Sequence, residues 1–388
     1  MKNWNNWLAR GKVTPYFQPI LSVENQKIFG YEVLGRLILP NGQVESLGPL
    51  FNATLPPGAL PEEKDELEAL KRETDRDLRL QALSLLGSSE DRGFHIFFNI
   101  SPSQMYRHLT SGTTEPPFTM QIIRESGFPP ERVIIEITEE RFDEELEALE
   151  DLLSLYRTEG FRVAVDDVGS ESSNLDRIGL FHPDIIKVDL QLLRRSIYSR
   201  SFKEILVHLA RLGESVGSAL LFEGIETSEE LHHAMETGAR YLQGFFFSEA
   251  LPHILPPDPF QDLIVKGLDL LLTRSQTSIH HRVTWEDQIL SVLERFPLGV
   301  ETSPRGDLSL NCTMESHEAS PIYRIYLTDA KGYQLTPNLV LSPSGKFISD
   351  PASLGKNWST RPYFFDHIYQ SRSSEGPVGH VTNLPGCF

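Results

Sequence analysis

The sequence predicts an α/β fold: a closed (β/α)8, TIM-like barrel, then a helical linker, then a small α/β domain. Two observations carry the barrel. Residues 13–253 alternate eight short apolar runs with amphipathic helical stretches. No Gly-x-Gly-x-x-Gly follows the first run, which removes the main support for an open doubly wound sheet. A proline-rich break, LPHILPPDPF, marks where the barrel ends. The expected divisions are residues 1–253 for the barrel, 254–298 for the linker and 299–388 for the C-terminal domain.

Each element has its own justification. The candidate strands are VTPYFQPI, KIFGYEVLGRL, FHIFFNIS, RVIIEITE, FRVAVDDVG, DIIKVDL, SALLFEGIE and ARYLQGFFF, short runs rich in β-branched and aromatic residues. Between them, LEALKRETDRDLRLQALSLL repeats Leu67, Leu70, Leu78 and Leu85 at helical spacing. EELEALEDLLSLYRTEG is helical, with Gly160 as its stop, and SFKEILVHLARLGESVG forms a helix before the seventh strand. Residues 259–296 read as mostly helical, opening on Leu263, Val265, Leu268, Leu270 and Leu271. PLGVETSPRGDLSLN reads as a loop. From Ile322 onward, YRIYLTDAKGYQLTPNLVLSPSGKFISD alternates between Gly turns as hairpins do.

Composition narrows the function. A formal net charge of −18 argues against a DNA binder or an acidic-membrane binder, since either needs a basic face. It leaves open a small phosphate ligand held through metal ions. The two cysteines, Cys312 and Cys387, form no Cys-x-x-Cys pattern, so neither a disulfide framework nor a structural zinc site is expected. The opening MKNWNNWLARGK has no apolar signal region, and no run approaches ~20 apolar residues. A cytoplasmic protein without a membrane span is the expectation.

The chemistry lies at the strand ends. In chain order these carry Glu32; Asn99; Glu136 with Glu139 beyond; the adjacent Asp166 and Asp167; Lys187 with Asp189; Glu223 with Glu226 beyond; and Gln243. In a parallel barrel such ends converge on one mouth, where active sites lie. A single acid at a strand end is more often a solvated group or the N-cap of the next helix. Agreement along the whole chain is what makes a site. Carboxylates packed this closely raise each other's pKa unless cations separate them. All-oxygen ligands select Mg2+, Mn2+ or Ca2+ over zinc. Adjacent aspartates suit two neighbouring ions, a clamp for in-line attack of water on a phosphodiester. Lys187 is either an ordinary salt-bridge partner or a group that orients water or stabilises a phosphate oxygen.

Assembled in this order, residues 12–253 resemble the EAL family of cyclic-di-GMP phosphodiesterases. EVL at Glu32–Leu34 stands where the family has Glu-Ala-Leu. FNIS, EITE, DDVG, PDIIKVD, EGIET and LQGFFF follow in family order. The resemblance implies hydrolysis of cyclic di-GMP to linear pGpG with two Mg2+ or Mn2+ ions. It implies that Glu32, Asn99, Glu136 and Asp166 hold one metal, and that Asp166 and Asp167 serve the second. Lys187 and Glu223 would position or activate water. Gln18, Leu34, Arg36 and Gln243 would contact the dinucleotide, Arg36 through a bidentate phosphate contact. Glu139 would brace the loop after the fifth strand, and Glu226 would support the site. That loop departs from the family pattern DDFGTGYSSL: it reads DDVGSESSNL, with Val168, Glu171 and Ser172 in place of an aromatic, a glycine and a tyrosine. The departure leaves a second function in view, a cyclic-di-GMP receptor with little or no catalysis. The family also implies a homodimer.

The whole chain resembles Bacillus-type two-domain EAL proteins with a C-terminal PAS- or Cache-like sensor. In that resemblance KNWSTRPYF lines a small-ligand pocket, with Trp358, Arg361 and Tyr363 as candidates. The alternative is that Trp358 and Tyr363 are core aromatics. The tail stops soon after GHVTN, short of the strands such a fold normally adds.

Overall fold

The computed structural model describes residues 4–56, 58, 60–87, 93–110, 112, 113, 115–137, 146–169, 175–294, 298–312, 323–361 and 364. The chain divides into two compact units, residues 1–273 and 274–388. In the first, nine strands form one sheet: β1 Lys12–Ser22, β2 Lys27–Ile38, β3 Val44–Ser46, β4 His95–Ile100, β5 Val133–Ile137, β6 Arg162–Val168, β7 Ile185–Val188, β8 Ala219–Phe222 and β9 Tyr241–Leu242. Their order is β1-β9-β8-β7-β6-β5-β4-β2-β3, and β1 also pairs with β2, so eight strands close a barrel and β3 hangs on its rim.

The barrel departs from all-parallel geometry at one strand. β1 runs antiparallel to both neighbours, β2 and β9. Only residues 23–26 separate β1 from β2, and a parallel crossover needs a dozen or more. The two must therefore form a hairpin, and a run of parallel pairs from β2 and β4 through β8 and β9 completes the wall. The last strand is also shorter than ARYLQGFFF suggested: only Tyr241–Leu242 is extended. Gly244 lies against Ile225, and an added Cβ would sit 2.1 Å from the Ile225 carbonyl oxygen.

Helices cover the outer face. Pro61–Gly87 contains the first predicted stretch, and Leu146–Thr158 and Arg200–Val216 fall on the second and third. The last ends on Gly217 at φ 80°, and Gly160 beyond the second sits at φ 95°, left-handed positions that suit glycine. Side chains at alternate strand positions feed two cores. Ile96, Phe98, Ile100, Val133, Ile135, Ile137, Val163 and Val165 pack outward against the helices. Ile20, Phe97, Ile134, Ala164, Ile185 and Leu221 fill the interior.

The closed end of the barrel holds a titratable group. Phe29 stacks on His95 at 4.1 Å and on Tyr241 at 4.2 Å, and His95 Nδ1 lies 3.2 Å from the Phe29 carbonyl. Burial lowers the His95 pKa to about 4, against a partial offset from that carbonyl. The folded imidazole thus stays neutral where the unfolded one, at its ordinary 6.5, takes up a proton. Its contribution to stability is full above pH 6.5 and is lost as pH falls toward 4. We expect wild type to lose roughly 2–4 °C more in melting temperature than His95→Phe between pH 7.5 and 5. Parallel losses in the two proteins, followed by circular dichroism, would contradict this.

The second unit contains two small sheets among its described residues. β10 Leu298–Thr302 and β11 Leu308–Cys312 form an antiparallel hairpin. This corrects the loop expected for PLGVETSPRGDLSLN. Pro304 and Gly306 signal a turn, but they punctuate two strands: Ser303 and Asp307 close the turn by a 2.8 Å backbone bond, with Gly306 at φ 90°. β12 Arg324–Ile325, β13 Asn338–Leu341 and β14 Phe347–Asp350 form the other sheet, antiparallel throughout. The helix Gln261–Glu294 spans most of the segment read as a linker. Trp358 donates its indole N–H to the buried Gln334 Oε1 at 2.9 Å, and its ring lies 6.0 Å from that of Tyr326. Arg361 bonds back to the Trp358 carbonyl through its main chain, and Tyr363 lies outside the described residues.

Candidate metal centre at the barrel mouth

Strand period two builds the site. Along each parallel strand an apolar inward residue plugs the barrel, and two positions on a polar one stands at its mouth. The pairs are Phe97 and Asn99, Ile134 and Glu136, Ala164 and Asp166, Ile185 and Lys187, Leu221 and Glu223, Tyr241 and Gln243. On β2, Glu32 follows Gly30, where a Cβ would approach the His95 carbonyl oxygen to 2.6 Å. β1 runs the other way, so its polar residue comes first: Gln18 precedes the plug Ile20. Ladder register then sets the levels, with Gln18 opposite Glu32 and Asn99 beside Glu136.

Two linked clusters result. In one, Glu32 accepts from Asn99 Nδ2 at 2.9 Å and from Gln243 Nε2 at 2.7 Å. Gln243 Nε2 also lies 3.3 Å from Gln18 Oε1, and Gln18 donates to the Ser248 carbonyl at 3.4 Å. In the other, the Lys187 ammonium contacts Glu136, Asp166 at 3.3 Å and Glu223 at 2.5 Å. One oxygen from each of those three carboxylates lies within 4.8 Å of the others.

Charge is unbalanced here. Four carboxylates, Glu32, Glu136, Asp166 and Glu223, surround one lysine that is 1% exposed. Burial pushes the fully buried Glu136 well above the carboxylate range. Lys187 opposes the rise, and Glu32 and Asp166 add to it. Burial also works against the Lys187 charge, but Asp166, Glu136 and Glu32 outweigh it and hold the ammonium above its ordinary pKa. Glu136 Oε2 and Gln243 Oε1 are buried without a hydrogen-bond partner among the described residues. Unpartnered buried acceptors beside surplus negative charge, all of them oxygen, suit a hard divalent cation.

Leu34 and Arg36 continue the Glu32 face of β2. Arg36 is half-buried; burial lowers its pKa, with Glu32 as the strongest opposing charge. Asp189 and Glu226 both have partners on a neighbouring helix. Asp189 caps the helix Leu190–Tyr198, accepting from Gln191 N at 2.7 Å. Glu226 pairs with Arg194 at 2.7 Å on an exposed surface, beside the capping box of Thr227 and Glu230. Glu139 and the Asp167 side chain lie outside the described residues. One buried group was not read from the sequence at all. Arg79, on the helix Pro61–Gly87, donates to the Asn99 carbonyl at 2.8 Å.

Comparison with known proteins gives consistent results. Residues 1–250 match the family described as the EAL domain, and residues 274–378 match the EAL-domain associated signalling protein domain. The chain is 35% identical over 377 residues to the uncharacterized EAL-domain containing protein YkuI of Bacillus subtilis, covering 93% of this chain and 85% of that one. It is 26% identical over 248 residues to the cyclic di-GMP phosphodiesterase RocR of Pseudomonas aeruginosa, which covers 63% of this chain and 59% of RocR. The crystal structure of Bacillus subtilis YkuI in complex with substrate c-di-GMP and calcium matches with a TM-score of 0.76 at 29% identity, covering 95% of this chain and 88% of that one.

Proposed function

This chain belongs to the EAL-domain family, and from that premise we propose that it is a metal-dependent phosphodiesterase hydrolysing cyclic di-GMP to linear pGpG. The observation that carries the proposal is the cluster of Glu136, Asp166 and Glu223 on the buried Lys187, with Glu32 adding its field and Glu136 Oε2 unpartnered among the described residues. Glu32, Asn99, Glu136 and Asp166 would hold one ion, and Asp166 and Asp167 would serve a second, as Mg2+ or Mn2+. When bound, the ions supply Lewis-acid neutralisation of the scissile phosphodiester.

The chain's own residues do the rest. Gln18, Leu34, Arg36 and Gln243 orient the dinucleotide. The Arg36 guanidinium sits on the Glu32 face of β2, where it meets a phosphate as a fork. Glu223, which keeps 24% of its side chain exposed, accepts the proton of the attacking water. Lys187 stays charged among Asp166, Glu136 and Glu32 and steadies the developing negative charge. The C-terminal unit acts as a PAS- or Cache-like regulatory module for a small ligand, and the protein works as a cytoplasmic homodimer.

One sequence feature favours a second reading, the cyclic-di-GMP receptor: Glu171 and Ser172 stand in the loop after the aspartates, where the family pattern has glycine and tyrosine. Chromatography after incubation with cyclic di-GMP separates the two. Formation of pGpG with Mn2+ and none with chelator is expected of the enzyme. Saturable binding without pGpG moves the assignment to the receptor.

A further inference from the structure

We propose that Arg79 is a positioning residue for the metal centre, setting the Asn99 amide by holding the Asn99 main chain from behind the barrel. The inference rests on the reading of Asn99 and Glu32 as metal ligands. Arg79 is charged yet 4% exposed. Its guanidinium is fixed on every side. Nε and Nη2 meet the two oxygens of Asp75 at 3.1 and 2.6 Å. Nη1 donates to Thr119, and Nη2 also donates to the Asn99 carbonyl at 2.8 Å. Its carbon lies 5.5 Å from the centre of the Phe98 ring, the residue just before Asn99.

This arrangement joins a helix to the site. Asp75 and Arg79 are one turn apart on Pro61–Gly87, and Thr119 belongs to the helix Phe118–Ser126. Two helices thus present a rigid planar fork to the last residues of β4. There the pairing of β4 with β2 has ended at Phe97 while its pairing with β5 runs on to Ile100, and Asn99 projects its amide to 2.9 Å from Glu32 Oε1. A guanidinium that binds Asp75 with two atoms still has donors left for Thr119 and Asn99, whereas an ammonium offers one point. The geometry therefore demands arginine rather than positive charge alone. Groups that orient metal ligands from outside the coordination shell tune affinity strongly.

Arg79 also lines a cavity of about 530 Å³, walled by Ile100, Met105, Phe118 and Tyr156 among others. A free guanidinium ion can reach the vacated position through it, and this gives the test. Mn2+ binding is measured by calorimetry on the full-length wild type, Arg79→Lys, Arg79→Ala and Asn99→Ala, with the melting temperature of each in chelator. We expect Arg79→Lys to weaken Mn2+ binding about 10- to 100-fold. Arg79→Ala should do the same and regain affinity in tens of millimolar guanidinium, where Asn99→Ala does not. If Arg79→Lys melts near wild type, the loss is one of positioning and not of folding. The proposal is overturned if both Arg79 variants bind Mn2+ as wild type does while Asn99→Ala does not, or if guanidinium restores nothing to a folded Arg79→Ala. Should Asn99→Ala itself bind Mn2+ normally, the ligand reading fails first, and the positioning role falls with it.

Discussion

Replacing Lys187 by methionine is expected to destabilise the metal-free protein by about 3–5 kcal/mol, the range for removing one partner of a buried ion pair. Methionine keeps the length and loses the charge. Lys187 is 1% exposed and bridges Glu136, Asp166 and Glu223. Without it, carboxylates at the ends of β5, β6 and β8 face one another with no counter-charge. Divalent cations should reverse the loss, because they neutralise the same oxygens. In denaturant titrations the gap between wild type and Lys187→Met is expected to open in chelator and to narrow as Mn2+ is added. Turnover of cyclic di-GMP should not return with it. A variant as stable as wild type in chelator would refute the electrostatic account of this site.

The same residues show what could be read from the chain in advance. Glu136, Asp166, Lys187 and Glu223 were legible because each stands two places after an inward apolar residue at the end of a short run, and a parallel barrel gathers such ends by construction. Gln18 was placed by resemblance alone. Its geometry follows from the direction of β1, and the signal was there in the four residues between β1 and β2. Asp189 was read as a strand-end residue beside Lys187, and Glu226 as a supporter of the site by resemblance. Yet Thr227-Ser-Glu-Glu230 spells a capping box and Asp189 opens a helix, so local helix chemistry claims that stretch.

Arg79 was hidden for a different reason. The helix Pro61–Gly87 was found by its leucine spacing, a pattern that assigns charged residues to the solvent side. Arg79 lies instead among Ala82, Leu83 and Leu86 on the buried side, where Asp75 four residues earlier supplies its counter-charge. An Asp-x-x-x-Arg pair falling on an apolar face is the one clue the sequence offers, and it names no target. The Asn99 carbonyl is a main-chain partner, and main-chain partners leave no trace in side-chain patterns.

Glu32→Ala is expected to remove pGpG formation by at least about a hundredfold, the scale on which a single preorganised active-site group acts, while the barrel stays folded. Glu32 accepts from Asn99 with one oxygen and from Gln243 with the other, so one carboxylate aligns the ends of β4 and β9, and through Gln243 it reaches Gln18. Truncation leaves two amide donors without their acceptor, a cost of about 1–3 kcal/mol each if they stay buried. Asn99 is only half-buried, and Asp166 and Glu223 keep 17% and 24% of their side chains exposed, so water at the site reduces it. Loss of function should therefore far exceed loss of stability, and kcat, KM and melting temperature measured together make that comparison. The outcome bears on the loop after Asp167 as well. If wild type turns over and Glu32→Ala does not, the primary ligands are sufficient and Glu171 is tolerated. If wild type only binds and Glu32→Ala loses that binding, the ligand set serves recognition alone. Glu171→Gly then becomes the variant in which pGpG should appear, since it restores backbone freedom at the position where the family pattern has glycine.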